Sequence, residues 1–296
     1  MKKGIFSVSY SGLWGQAKLN AVEFIYKAKD LGYEGVLLMA KRPHLSVIDS
    51  DEAMLTSIET ALQETGIELI GLAAYTDYLL PAPAEIPIAE IQRLYVQRCA
   101  AICSRLGGRI VRVFTGYDRG DVSRGSQENT VTAELQAAAD DAGSHGILLS
   151  VQNHHDIGVH TDELNMLLDT VGAENIRAGF DAWSPYLRGE DLYASARLMA
   201  PRMFMTICAD YLTFPRYRYL PELVNYKRIE PRAVKATLMG SGEISYGDFF
   251  RGLADGGFDG WAVYEMCSPV IGGGTIENLD RLAEGFITWI DANSPA

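Results

Sequence analysis

The chain alternates eight times between an apolar, strand-like run and an amphipathic, helix-like run. The strand-like runs are Gly4–Ser9, Gly35–Met39, Glu68–Ala73, Arg109–Phe114, Ile147–Gln152, Ile176–Asp181, Phe204–Asp210 and Gly260–Glu265. The helix-like runs that follow them are Lys18–Leu31, Glu52–Thr65, Ile88–Leu106, Thr130–Ala142, Asp162–Thr170, Leu192–Ala200, Gly247–Asp255 and Asn278–Ile290. Strands that alternate with helices pair in parallel through right-handed crossovers, and eight such units favour closure into a barrel. We therefore predict an α/β fold, a (β/α)8 TIM barrel that forms one domain over residues 1–296.

Length and charge narrow the class of protein. The 296 residues are close to the roughly 250 residues of a typical eight-fold barrel. The net charge of −12 disfavours nucleic acid and anionic membranes as partners, because both select basic surfaces. No apolar run reaches the roughly 18–20 residues of a membrane span, and the stretch behind the two N-terminal lysines is too short and polar for a signal peptide. These features predict a cytoplasmic protein.

One segment, at about residues 211–246, is far longer than an ordinary connection between a strand and its helix. It is rich in tyrosine, arginine and proline, and it follows the seventh strand. A loop at this end of a barrel lies over the mouth, so it can serve as a lid or a substrate wall, with Arg216 as a substrate contact. The alternative is a contact between subunits, which would make the protein a homo-oligomer.

Four polar side chains end successive strand-like runs: Gln152, Asp181, Asp210 and Glu265. The carboxyl ends of barrel strands meet at one face, where barrel enzymes build their active sites. Three carboxylates and an amide at that face predict either a site for a hard metal ion or an acid/base site. Glu265 is the strongest candidate, as a metal ligand, a general base or both, against the alternative of a salt-bridged rim residue.

Further candidates lie near the same face. His154 shares strand parity with Gln152, whereas His155 would point elsewhere and is predicted as a substrate contact. Arg112 interrupts an apolar strand, and a charge inside a barrel needs a partner such as a substrate carboxylate. Other predicted substrate contacts at the mouth are Trp14, Lys41, Arg42, His44 and Tyr75. The sequence has no Walker loop and no GxGxxG fingerprint, so we expect no nucleotide cofactor.

The motifs at the last four strands resemble those of the sugar phosphate isomerase/epimerase group of xylose isomerase-like barrels. They are SVQNHH at the fifth strand, GFDAW at the sixth, ICAD at the seventh and GWAVYE at the eighth. The resemblance covers nearly the whole chain. It implies a divalent ion (Mn²⁺, Mg²⁺, Co²⁺ or Zn²⁺) held by Glu, Asp, His and Glu at the ends of these strands. It also implies that the two glutamates transfer protons.

Two of the four family positions depart from that pattern. Asp181 and Glu265 match, but Gln152 stands where the family has its first glutamate, and Ile207 stands where it has its histidine. An amide oxygen can ligate a hard cation but cannot accept a proton, and isoleucine can do neither. The remaining metal ligands implied by the resemblance are Gln152, Asp181 and Glu265, with Asp210 as a further oxygen donor.

Three functions follow as alternatives. The first is a metal-assisted sugar or keto-sugar isomerase or epimerase, in which Glu265 removes a proton next to a carbonyl. His154 would then replace the missing second base, since an unperturbed imidazole has a pKa of about 6.5. The second is a lyase or dehydratase that acts on an oxidised sugar or cyclitol, with Glu265 as base and His154 as acid. The third is a carbohydrate-binding barrel without catalytic activity.

Overall fold

The computed structural model describes residues 1–83 and 85–293, and its centre is a closed barrel of eight parallel strands. The barrel strands are β1 (Lys2–Phe6), β2 (Gly35–Met39), β3 (Glu68–Ala73), β4 (Ile110–Val113), β5 (Leu148–Gln152), β6 (Ile176–Gly179), β7 (Met203–Cys208) and β10 (Trp261–Tyr264). They follow the order of the chain around the barrel, and β10 closes it by pairing with β1. The predicted (β/α)8 barrel is confirmed.

The barrel strands are buried on both faces, which is why they read as continuous apolar runs rather than as alternating ones. Every residue of β2, GVLLM, is buried. Side chains such as Val36 and Leu38 pack outward against the helices, whereas Leu37, Ile110 and Met205 fill the interior of the barrel. The strand ends are therefore held between two packed layers, and this fixes the positions of side chains at the mouth.

Nine helices surround the barrel within the described residues. They are α1 (Ala21–Asp30), α2 (Glu52–Thr65), α3 (Ile88–Arg105), α4 (Arg124–Gly143), α5 (Thr161–Val171), α6 (Trp183–Leu187), α7 (Leu192–Met199), α8 (Tyr246–Asp255) and α9 (Ile276–Asn293). α2 has the predicted bounds because Asp51 caps its N-terminus and Gly66, with a φ of 65°, ends it. Across residues 1–83 and 85–293, the model contains no helix that combines the length and the apolar character of a membrane span.

Several predicted bounds were wrong. The first strand ends at Phe6, because Ser7–Tyr10 turn into a 3-10 helix. α4 begins at Arg124 rather than at Thr130, because the side chain of Ser123 caps the backbone N–H of Ser126. The short helix α6 was not predicted.

The segment predicted as a long loop is mostly a hairpin. Its antiparallel strands are β8 (Asp210–Leu220) and β9 (Asn225–Thr237). The hairpin was not predicted because the segment contains prolines. Proline has no backbone N–H to donate to the hydrogen bonds between strands, so it argues against a regular strand. The hairpin accommodates Pro215 with a shift of register between Phe214 and Arg216. The seventh barrel strand consequently ends at Cys208, and Asp210 opens the hairpin instead of closing that strand.

Candidate functional site

A cavity of about 250 Å³ opens at the carboxyl ends of the barrel strands. Its walls are formed by Gln152, His154, Asp181, Trp183, Ser184, Ile207, Ala209, Tyr211, Val234, Tyr246, Glu265, Cys267 and Ser268. The structure thus brings together four of the predicted site residues: Gln152, His154, Asp181 and Glu265. The base of the hairpin contributes Tyr211 and Val234, so the insertion forms part of the wall.

Asp181 and Gln152 form a buried pair on one side of this cavity. The Gln152 amide nitrogen donates to Asp181 Oδ2 at 3.0 Å, and the other carboxylate oxygen accepts the backbone N–H groups of Trp183 and Ser184. Burial raises the pKa of Asp181 to about 6, although these hydrogen bonds oppose the rise. Asp181 therefore accepts the first backbone N–H groups of α6 and also presents a carboxylate to the cavity.

Glu265 stands on the other side, one residue beyond β10, and it has a hydrogen-bonded thiol as neighbour. Cys267 Sγ donates to Glu265 Oε1 at 3.3 Å, and the Tyr211 hydroxyl lies 3.4 Å from the same sulfur. Burial raises the pKa of Glu265 to about 7; the thiol hydrogen bond opposes this rise, and the charge of Asp181 adds to it. A carboxylate with such a pKa is a stronger base than an ordinary glutamate and is ionised at neutral pH in a large part of the molecules.

His154 lies at the rim of the cavity and His155 packs beside it. His154 Nδ1 accepts the backbone N–H of His155 at 2.7 Å, so in the neutral ring the proton is on Nε2. Although part of the ring is open to solvent, desolvation by the walls and the charges of His155 and Arg112 lower the pKa of His154 to about 4. This lowered pKa argues against His154 as the second base of an epimerase. His155 has a φ of 71° and stacks on Tyr117, with ring centroids 4.1 Å apart.

The donor set does not fit the four-ligand metal site that the resemblance implied. Ile207 faces the cavity from the histidine position and offers no donor atom. Gln152 turns its amide nitrogen, which cannot ligate a cation, toward Asp181. Within residues 1–83 and 85–293, no group of three or more His, Cys, Asp or Glu side chains is arranged to hold a metal ion.

Asp210, the further predicted ligand, is engaged elsewhere. Its carboxylate accepts the backbone N–H groups of Tyr211 at 3.0 Å, Gly240 at 2.9 Å and Gly242 at 2.8 Å. The pKa of Asp210 is raised by burial, and these hydrogen bonds act against the rise. Asp210 is not among the residues that line the cavity. Its role in the structure is to tie the end of the hairpin to its beginning.

Among the remaining predicted contacts, Arg112 and Tyr75 lie apart from His44, Trp14 and Arg216. Arg112 and Tyr75 lie together inside the barrel, with the guanidinium carbon 4.9 Å from the Tyr75 ring centroid. His44 is buried under α1, where Nε2 lies 3.0 Å from the Leu19 carbonyl oxygen. Burial lowers the pKa of His44 to about 4, which keeps the ring neutral. Arg112, Tyr75, His44 and the two contacts described next are not among the residues that line the cavity.

Trp14 and Arg216 are not among the residues that line the cavity. The Trp14 side chain is 39% exposed in the loop after the first 3-10 helix. Arg216 lies in the exposed part of the hairpin, where Nη1 donates to the Pro231 carbonyl oxygen at 3.2 Å. Both remain predictions as substrate contacts, and the geometry adds no support to them.

A scan against family models matched residues 25–289 to the xylose isomerase-like TIM barrel. The chain belongs to this family. The resemblance seen in the sequence is thereby confirmed. No curated protein matched the chain.

Solved structures of other proteins share the fold at low sequence identity. D-allulose 3-epimerase from Methylomonas sp. has a TM-score of 0.75 at 18% identity, over 99% of this chain and 98% of that one. D-psicose 3-epimerase from Clostridium cellulolyticum H10, solved with D-tagatose, has a TM-score of 0.76 at 13% identity over the whole of both chains. The probable 3-DHS dehydratase AsbF from Bacillus anthracis has a TM-score of 0.72 at 13% identity, over 98% of this chain and 99% of that one.

Several residues that line the cavity of this protein were not predicted from its sequence. They are Trp183, Ser184, Tyr211, Tyr246 and Cys267. Cys267 follows Glu265 by two residues, so a continued extended backbone after β10 would have placed both on one side. Trp183 contacts the hairpin through Tyr211, with ring centroids 4.5 Å apart. That contact could not be predicted, since the hairpin itself was read as a loop.

Proposed function

We propose that this family member is an enzyme, an isomerase or epimerase that removes a proton next to the carbonyl of a sugar or keto-sugar. The observation that carries the proposal is Glu265, a carboxylate with a pKa of about 7 in the wall of a concave cavity. Titratable groups that burial perturbs in a cavity are the groups on which general acid/base catalysis depends. The structural neighbours named epimerases are consistent with this reaction class.

Glu265 is the proposed base, and the cavity residues around it have separate tasks. The Cys267 thiol holds one oxygen of Glu265 and leaves the other for the substrate. The burial that raises the pKa of the thiol keeps it protonated, and therefore a donor. Neutral His154, with its proton on Nε2, donates a hydrogen bond to a substrate oxygen on which negative charge develops.

The fate of the proton separates the two reaction types. An isomerase needs one base, because Glu265 can return the proton to the neighbouring carbon on the same face. An epimerase that inverts the carbon needs a second group on the opposite face to donate a proton, and Asp181 is the other carboxyl in the cavity wall. His154 is a poor substitute, because a ring with a pKa of about 4 carries no proton to spare at neutral pH.

The test is exchange of substrate hydrogen with solvent. We expect that a keto-sugar incubated with the protein in D₂O acquires deuterium at the carbon next to the carbonyl, as followed by NMR and mass spectrometry. A keto-sugar panel that binds but shows no deuterium uptake would leave only a carbohydrate-binding barrel. A product lighter by one water would instead assign a dehydratase that uses the same base.

The donor set also predicts how the reaction responds to chelators. Since Ile207 and the orientation of Gln152 do not fit a resident divalent ion, we expect exchange to change less than about twofold after dialysis against EDTA. Addition of Mn²⁺, Mg²⁺, Co²⁺ or Zn²⁺ should then give no recovery beyond that range. A loss of tenfold or more that one of these ions restores would show that Gln152, Asp181 and Glu265 bind a metal ion after all.

A further inference from the structure

Two cations, Arg112 and Lys41, lie in the mouth of the barrel without a carboxylate partner. Neither takes part in an ion pair among the described residues. Two other arginines of the mouth loops do have a carboxylate partner: Arg42 pairs with Asp49 at 2.5 Å, and Arg119 pairs with Asp77 at 2.5 Å. Many exposed cations elsewhere also lack an ion pair, but Arg112 is the one lysine or arginine among the described residues that is buried. Its burial without a carboxylate partner needs an explanation.

Of the two cations, Arg112 is the more costly to leave without an anionic partner, since its side chain is only 1% exposed. Nη1 donates to the Ala74 carbonyl oxygen at 3.1 Å, while Nε has no partner. The guanidinium carbon lies 3.9 Å from the Phe114 ring centroid and 5.6 Å from that of Phe6. Attraction to these rings offsets part of the loss of hydration but leaves the Nε donor without a partner. A buried, incompletely bonded guanidinium is costly unless an anion completes it.

Lys41 shares an aromatic platform with Arg112. Its Nζ lies 3.5 Å from the Tyr75 ring centroid, on a side chain that is half-buried. Burial and the nearby charge of Arg112 lower the pKa of Lys41. Two like charges beside one ring repel each other, so the arrangement gains most from an anion that lies between them.

The mouth therefore has two halves of opposite charge. Lys41, Tyr75 and Arg112 follow or belong to β2, β3 and β4, which are neighbours in the barrel. Asp181 and Glu265 follow β6 and β10, which flank β7 on the other side. The halves are close enough for Arg112 to lower the pKa of Glu265.

We propose that Arg112 and Lys41 form a subsite for an anionic group, so that the substrate is a sugar acid or sugar phosphate rather than a neutral sugar. The subsite rests on the proposed function and specifies its substrate class. An anion held at β2–β4 directs the rest of a sugar-sized molecule toward Glu265. A carboxylate and a phosphate can each accept two parallel N–H donors from a guanidinium, so the experiment includes one probe of each kind.

The experiment compares probes that differ only in charge. D-glucose, D-glucuronate and D-glucose 6-phosphate are titrated against the full chain, and their dissociation constants are measured by NMR. We expect D-glucuronate to bind at least tenfold more tightly than D-glucose, and the difference to fall below threefold in Lys41→Met and in Arg112→Met. The control is Lys29→Met, which removes a lysine from the exposed end of α1 and should keep the full difference.

The readouts separate the subsite from the reaction. A preference for D-glucose 6-phosphate with the same dependence on Lys41 supports the subsite and assigns phosphate as its ligand. Equal binding of all three probes, or a preference that survives in Lys41→Met and in a folded Arg112→Met, overturns the subsite. If solvent exchange on a neutral keto-sugar persists in that case, the proposed function stands without it. Far-ultraviolet circular dichroism establishes that Arg112→Met is folded; Lys41, at the rim, gives an independent test.

Discussion

Glu265→Gln lowers the rate of solvent exchange at the substrate carbon by about a thousandfold or more, while the protein stays folded. The amide has nearly the same size and can still accept the Cys267 hydrogen bond through its oxygen. It cannot take up a proton, however, and a positioned general base contributes roughly 10²–10⁴-fold to such a step. The measurement is deuterium uptake by NMR, under conditions where the wild-type protein exchanges measurably.

The matched control is Glu277→Gln. Glu277 is exposed in the first turn of α9 and makes no hydrogen bond or ion pair with the rest of the described chain. Its variant should exchange at the wild-type rate. If Glu265→Gln retains more than about a tenth of the wild-type rate, Glu265 is not the base, and Asp181 becomes the next carboxyl to test.

The same substitution stabilises the protein at neutral and alkaline pH, and this is the second large effect that we expect. The pKa of Glu265 rises from an ordinary value of 4.5 to about 7 on folding, a difference that corresponds to ~3 kcal/mol. Because the folded state holds this proton more tightly, wild-type stability falls as the pH rises from 4.5 to 7 and then levels off. Glutamine does not titrate, so Glu265→Gln gains ~2–3 kcal/mol over the wild type across that window.

The free energies of unfolding in urea at pH 4.5 and at pH 8 give this quantity. The difference between Glu265→Gln and the wild type is the value to follow, since it cancels the titration of all other groups. Glu277→Gln should show no comparable gain between the two pH values. A difference that stays constant with pH would mean that burial does not perturb Glu265, and the argument for its basicity would then lose its main support.

The barrel could be predicted from sequence because its signals are local. Runs such as GVLLM and ELIGLA are short and apolar on both faces, and glycines end the helices that separate them. β2, β3 and α2 consequently have the predicted bounds. The positions of Asp181 and Glu265 followed from strand order alone, because the carboxyl ends of parallel strands share one face of a barrel.

Other features depend on contacts between distant segments. Nothing near His44 in sequence indicates that Phe24 of α1 stacks on it. Phe114 follows Arg112 by two residues, but nothing near Arg112 indicates that Phe6 and Tyr75 also lie against its guanidinium. The pKa of His154 could not be predicted either, since desolvation and Arg112 set it. The hairpin is a different case: its prolines argued against strands, yet pairing between its two arms outweighs the lost backbone donors.

The β8–β9 hairpin after β7 has an inner end at the cavity and an outer end at its turn, and the two ends differ in how far their sequence can change. At the inner end, Asp210 fastens the two arms together and Tyr211 reaches the thiol beside Glu265. At the outer end, Leu223, Val224 and Tyr226 are largely exposed. The sequence at the tip can therefore vary, lengthen or acquire a binding partner without disturbing Glu265, whereas a shift at the root would reach the Glu265 carboxylate through one sulfur atom.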